Sequence, residues 1–154
     1  MAKSKVAILI GSKSDEPTIS EAFPYLDYFG IDYDLHVLSA HRNPTETAGF
    51  ASDAEKNGYT LIIAGAGMAA HLPGVVASLT TLPVIGVPLS GSELSGVDAL
   101  YSIVQMPPGI PVATVAIGKA GAKNAGVLAA EIIALSDRNV KQKLVEFRLK
   151  GSKL

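Results

Sequence analysis

The chain has 154 residues, 48% of them apolar, no cysteine and a formal net charge of −1. That length fits a single domain, residues 1–154, and the near-neutral balance offers no field for nucleic acid or an anionic membrane. The missing thiols exclude disulfides, thiolate nucleophiles and Cys-ligated metal centres, and they are compatible with a reducing cytoplasm.

The first stretch, "MAKSKVAILIG", places Lys3 and Lys5 before an apolar run and so imitates a signal peptide. The run is too short and enters a polar loop, so residues 5–11 read as a strand buried on both faces. "SKSDEPTISEAFPYLDYFG" follows as a helix capped by Ser14 or Asp15, with Pro17 in its first turn, a kink at Pro24 and a stop at Gly30. Residues 32–39 alternate like a strand, with Tyr33, Leu35 and Val37 on one face and Asp34, His36 and Leu38 on the other. A helix runs from a cap at Asn43 to a stop near Gly58, and residues 59–65 form another buried strand.

The next helix starts near His71–Pro73 and ends at about residue 80. "PVIGVP" is a short strand, "LSGSELSG" a flexible polar loop and "VDALYSIVQMP" a short helix. Residues 112–118 form a strand, "KAGAKNAGVLAAEIIAL" an Ala-rich helix, and a last helix opens with a capping Ser136 or Asp137. Its basic residues (Lys141, Lys143, Arg148, Lys150, Lys153) read as a solvated face. The longest apolar region, residues 61–79, carries His71, Pro73 and glycine steps and is no membrane span. Strand and helix alternate five times, which predicts a doubly wound, mostly parallel five-stranded sheet between helical layers.

In such a sheet, ligands sit beyond the carboxyl ends of the strands. "GSKSD" (11–15) is the first loop there. Gly11 lets a ligand approach the backbone, Ser12 and Ser14 offer hydroxyls, and the helix start behind them suits a phosphate, with Asp15 toward a hydroxyl or amine. By itself the loop reads better as an ordinary serine-rich cap than as a phosphate site. "SAHRNP" (39–44) adds Arg42, a planar fork for phosphate or carboxylate, and His41, a residue type suited to proton transfer. One can hold an anion while its neighbour moves a proton; the plain alternative is a surface pair that binds nothing.

"GAGMAAHLPG" (65–74) matches the G-x-G-x-x-A dinucleotide fingerprint, but no acidic residue closes the following strand and the motif does not open the fold. Small residues from Gly65 to Ala70, Gly67 among them, instead keep the segment flat enough for a planar ring or a small carboxylate. His71 reads either as a hydrogen-bond donor there or as a structural cap. His36 reads as structure or surface. With no His-x-His or His-x-x-x-His spacing, no metal site is expected.

Taken together, "GSKSD", "SAHRNP", "AGAGMAAHLPG", "VIGVP", "LSGVDALYSIVQMPPGIPVATVAIG" and "NAG" resemble the class I N5-carboxyaminoimidazole ribonucleotide mutases (PurE family) of bacterial purine synthesis. The matching pieces run in family order from residue 6 to about 130. The resemblance implies a flavodoxin-like three-layer α/β sandwich in the cytoplasm, assembled as a homo-octamer, with residues 136–154 as a C-terminal helical arm packing on neighbouring subunits. It implies a small ribonucleotide substrate, no metal or organic cofactor, and transfer of a carboxylate from the exocyclic N5 to ring C4. In the family pattern Ser12, Asp15 and Arg42 bind substrate and His41 transfers the proton; Ser39, Gly67 and His71 complete the expected binding set. Two rivals are direct carboxylation of aminoimidazole ribonucleotide with free CO2, and a non-catalytic flavodoxin-like module for FMN or a dinucleotide.

Overall fold

The computed structural model describes residues 4–154, so Lys3, one half of the signal-peptide imitation, lies outside the described residues. Five strands, β1 (Lys5–Ile10), β2 (Asp32–Val37), β3 (Leu61–Gly67), β4 (Val84–Leu89) and β5 (Ala113–Thr114), pair in the order β2-β1-β3-β4-β5. Every pairing is parallel. This is the flavodoxin-like order, in which the chain reverses its direction of travel across the sheet between β1 and β3.

The apolar runs of β1 and β3 have the composition of strands covered on both faces. Val6, Ile8 and Ile10 face one layer, built from α1 (Glu16–Ile19), α2 (Phe23–Phe29), α6 (Gly118–Ile133) and α7 (Arg138–Leu149). Ala7 and Leu9 face the other, built from α3 (Pro44–Asp53), α4 (Leu72–Ala77) and α5 (Val97–Val104). On α6 the buried stripe is Ala122, Ala125, Ala129 and Ile133, small enough to let this helix lie close to α2. On the opposite face α5 comes so near β4 that a Cβ on Gly86 would stand 2.4 Å from Ile103 Cγ2.

Three predicted elements take a different form. The single kinked helix before Gly30 is broken into α1, a 3-10 turn at Ser20–Ala22, and α2, so that Pro24 sits in the first turn of a new helix, where its missing N–H costs nothing. Ser12 caps the opening 3-10 turn, its Oγ accepting from Ser14 N, while Asp15 holds the expected cap position of α1 with Pro17 in the first turn but makes no side-chain capping bond. The strand expected over 112–118 pairs only at Ala113–Thr114. Val115 N still reaches Gly86 O, but Pro88 is the next β4 residue facing β5 and has no N–H to extend the ladder.

Strand β3 runs two residues further than expected, because Ala66 and Gly67 pair with Pro88 and Leu89. The supposed dinucleotide loop is therefore partly strand. At the last helix Asp137 is the cap, accepting from Asn139 N and Val140 N, and Ser136 is not. Phe147 of α7 packs against Tyr25, Tyr28 and Phe29 of α2 in the same chain. Among the described residues no helix is long and apolar enough to cross a membrane.

Candidate active site

Parallel strands end together, so their following loops share one edge of the sheet. The order β2-β1-β3 sets the loop after β1 between those after β2 and β3. They enclose a cavity of about 410 Å³ that also receives Gly91 from the loop after β4. Ser12, Asp15, Ser39, His41, Arg42, Gly67 and His71, all seven residues singled out from the sequence, line it.

Each side chain is set by local bonding. In the first turn Ser14 Oγ donates to Ser12 Oγ at 2.9 Å, and Asp15 N donates to Ser12 O at 3.1 Å. Asp15 is half-buried, and that burial raises its carboxyl above the ordinary 3.8, with hydrogen bonding from the Ser12 backbone opposing it. Ser39 braces the second loop: its carbonyl accepts from Asn43 N (2.8 Å) and from Thr47 Oγ1 (3.2 Å), and its hydroxyl accepts from Arg42 N (3.2 Å). Thr47 is wholly buried, so this anchor is fixed to the body of α3. Asn43 takes the cap position of α3 but makes no side-chain capping bond. Arg42 is exposed, and among the described residues its guanidinium has no carboxylate partner.

The third loop leaves β3 through Met68, whose φ of 54° turns the chain sharply. Ala70 N donates to Gly67 O at 3.0 Å, and Ser102 on α5 ties the loop down by donating to Ala69 O at 2.8 Å. His71 then occupies the cap position of α4, again without a side-chain capping bond. Its ring goes elsewhere: His71 Nδ1 and His41 Nε2 are 2.6 Å apart. The sequence sets both histidines in loops at the strand ends, but that their rings meet across the loop after β1 follows from the strand order. Sequence reading also left Met68 and Gly91 out of the site; the signal for both was their place in loops after adjacent strands.

His36, by contrast, lies outside this cavity. Its Nε2 is 3.0 Å from Tyr59 Oη, and its ring rests on Phe50 with centroids 4.6 Å apart. Of the two readings the sequence leaves open, structure or surface, these contacts favour structure.

The arrangement offers an anion-binding guanidinium, a partly buried carboxyl, three serine hydroxyls (Ser12, Ser14 and Ser39), a floor of small residues at Ala66, Gly67, Ala69 and Ala70, and a pair of imidazoles. Such a set can hold a phosphorylated, planar substrate and move a proton on it. A family model described as AIR carboxylase matches residues 5–153. The N5-carboxyaminoimidazole ribonucleotide mutase of Vibrio vulnificus (strain CMCP6) is 56% identical over 144 residues, covering 94% of this chain and 89% of that protein. The protein of the same description from Escherichia coli (strain K12) is 54% identical over 145 residues, covering 94% and 86%. The crystal structure of Treponema denticola PurE superposes with a TM-score of 0.87 at 29% identity, over 97% of this chain and 92% of that one. With one fold, one loop order and nearly the whole length in common, the chain belongs to the AIR carboxylase family, the PurE family.

Proposed function

We propose that this cavity converts N5-carboxyaminoimidazole ribonucleotide into 4-carboxyaminoimidazole ribonucleotide, a mutase step of purine biosynthesis, with His41 as general acid and base. One observation carries the reading: an arginine, an aspartate, a serine turn and two histidines from the ends of β1, β2 and β3 line one cavity. Relatives described as mutases, 54–56% identical along the chain, support it.

Arg42 and the Ser12 turn hold the 5′-phosphate, where a charge-assisted fork is strongest. Asp15 accepts from the ribose hydroxyls. Ser39 holds the loop that carries Arg42. The aminoimidazole lies against the floor at Gly67, and His71 donates to the carboxylate.

The ring is an electron-rich enamine, so C4 attacks CO2 without further activation. The carbamate C–N bond breaks first, its electrons stay on nitrogen, and His41 supplies the proton. CO2 held under the Ala66–Ala70 segment stays next to C4, which raises its effective concentration. C4 forms the new C–C bond. His41 then removes the C4 proton and the ring regains aromaticity. General acid–base help of this kind is worth roughly 10²–10⁴-fold.

We further propose the homo-octamer as the working form. Val97, Tyr101 and Val104 on α5, with Leu94 in the loop before it, are exposed apolar residues, Tyr101 62% exposed. Leu135, Val145 and Leu149 are likewise exposed around α7, the arm expected to meet neighbouring subunits.

The deciding assay supplies the N-carboxylated ribonucleotide without ATP and follows formation of the C4 acid. The mutase reading predicts turnover. Reaction only with free aminoimidazole ribonucleotide at high bicarbonate would make the protein a carboxylase. A purified protein that carries bound flavin and turns over neither substrate would favour the binding module. Sedimentation at working concentration tests the octamer.

A further inference from the structure

The His41–His71 contact joins Nε2 of one ring to Nδ1 of the other, with the rings crossing at 79°. A neutral imidazole has one N–H and one lone pair, and the bond made by one nitrogen dictates what the other presents. One proton serves this contact, so one ring donates and the other accepts. If His71 donated from Nδ1, neutral His41 would carry its proton on Nδ1 and have no lone pair left to act as a base. His71 would then turn a bare Nε2 outward, which repels a carboxylate. If His41 donates from Nε2, its free Nδ1 is a lone pair ready for a proton. His71 then presents Nε2–H, a donor suited to a carboxylate. Only the second arrangement gives both rings the properties that the mutase step needs.

We infer that His71 is a positioning residue: its Nδ1 accepts from His41 Nε2–H and so fixes Nδ1 of His41 as the nitrogen that exchanges protons with substrate. This rests on the mutase reading of the site. The protons balance around it. Cationic His41 gives its Nδ1 proton to the exocyclic nitrogen as the carbamate C–N bond breaks. The Nε2–H bond to His71 stays in place. When the C4–H bond breaks, its electrons restore the ring and the proton returns to Nδ1.

The backbone is built to keep the two rings in register. The His71 loop is tied to α5 through Ser102 and closed by Ala70 N on Gly67 O. The His41 loop is tied to α3 through Thr47 on Ser39 O. Neither ring has to search for the other.

The test combines ring NMR of protein labelled with 15N-histidine and steady-state kinetics of His71→Ala and His71→Asn. In the wild type, His41 is expected to show a protected Nε2–H and His71 a bare Nδ1 with its proton on Nε2. His71→Ala should expose the His41 Nε2–H to exchange and lower kcat roughly tenfold or more, less than the loss of the acid–base group itself. His71→Asn keeps an acceptor oxygen near the Nδ1 position. It should recover the protected signal and most of kcat while KM stays raised, since it lacks the Nε2 donor. A proton on His71 Nδ1 in the wild type would overturn the inference. So would an alanine variant with unchanged kcat, or an asparagine variant no better than alanine. If the wild type fails to convert the carbamate at all, the mutase reading falls, and the ring spectra still decide the direction of the bond.

Discussion

The chain's three histidines stand in two contrasting regions. His36 is half-buried on β2, its ring against Phe50 and its Nε2 on Tyr59 Oη. Tyr59 donates in turn to Asp34 Oδ2 at 2.7 Å, and Lys5 pairs with the same carboxylate. His41 and His71 are exposed, touch each other, and turn one nitrogen each away from their contact in a cavity where an arginine has no carboxylate partner among the described residues. A histidine boxed in by aromatic rings and a closed polar chain stabilises the fold. A histidine pair at the strand ends, beside an unpaired cation, is free to serve a ligand.

Substitution at His41 should separate the two regions most widely. His41→Asn is expected to lower kcat by roughly 10²–10⁴-fold while the melting temperature and nucleotide binding stay near wild type. Near-normal turnover would move His41 to the His36 side of the comparison. Arg42→Ala comes next. Loss of a charge-assisted bond to phosphate should weaken ribonucleotide binding roughly ten- to hundredfold in a calorimetric titration, with a smaller effect on kcat.

How far the sequence reveals this contrast depends on whether the information is local. "SAHRNP" and "GSKSD" announce themselves by residue type, and the strand ends follow from apolar runs. The β2-β1-β3 order, which lets the loops of His41 and His71 meet across β1, is a property of pairing and is written in no single segment. Ala66 and Gly67 read as loop because glycine favours turns, yet the ladder with β4 outweighs that preference. "VATVAIG" looked like a full strand, but the proline that cuts it short lies on the neighbouring strand. Asp15 is legible as the cap position of α1, but the extra 3-10 turn before it, capped by Ser12, is not marked by any residue type.

The His36 cluster makes a weaker and opposite set of predictions. Tyr59→Phe removes the donor to Asp34 and the acceptor for His36, and should cost about 1–2 kcal/mol of stability with turnover unchanged. The cluster also sets a pH response. Burial, then the bond and charge of Asp34, push the Tyr59 hydroxyl from 10.0 to about 12. The unfolded chain therefore ionises first, and this contribution to stability is complete below pH 10 and is lost between about pH 10 and 12. Burial holds His36 below its ordinary 6.5, with Asp34 opposing. The unfolded chain then binds a proton first as pH falls through 6.5, so stability declines from there until the lower folded value is passed. Urea midpoints across pH should show both limbs in the wild type, and Tyr59→Phe should flatten the alkaline one.

The smallest expected effect on the fold is also the most selective probe of the cavity floor. A Cβ placed on Gly67 would meet Leu89 O at 3.5 Å and Leu89 Cβ at 3.7 Å, which is ordinary contact, and the backbone there is extended strand. Gly67→Ala should therefore change stability by less than about 1 kcal/mol, since alanine fits a strand at least as well as glycine. At Gly86, where a methyl would collide with Ile103 and Val112, the same exchange should cost about 1–3 kcal/mol. If the aminoimidazole lies flat against β3, the Gly67 methyl intrudes on the ring alone, and KM rises several-fold in a protein that melts like the wild type. An unchanged KM would lift the ring off the end of β3 and leave Gly67 without a role in binding.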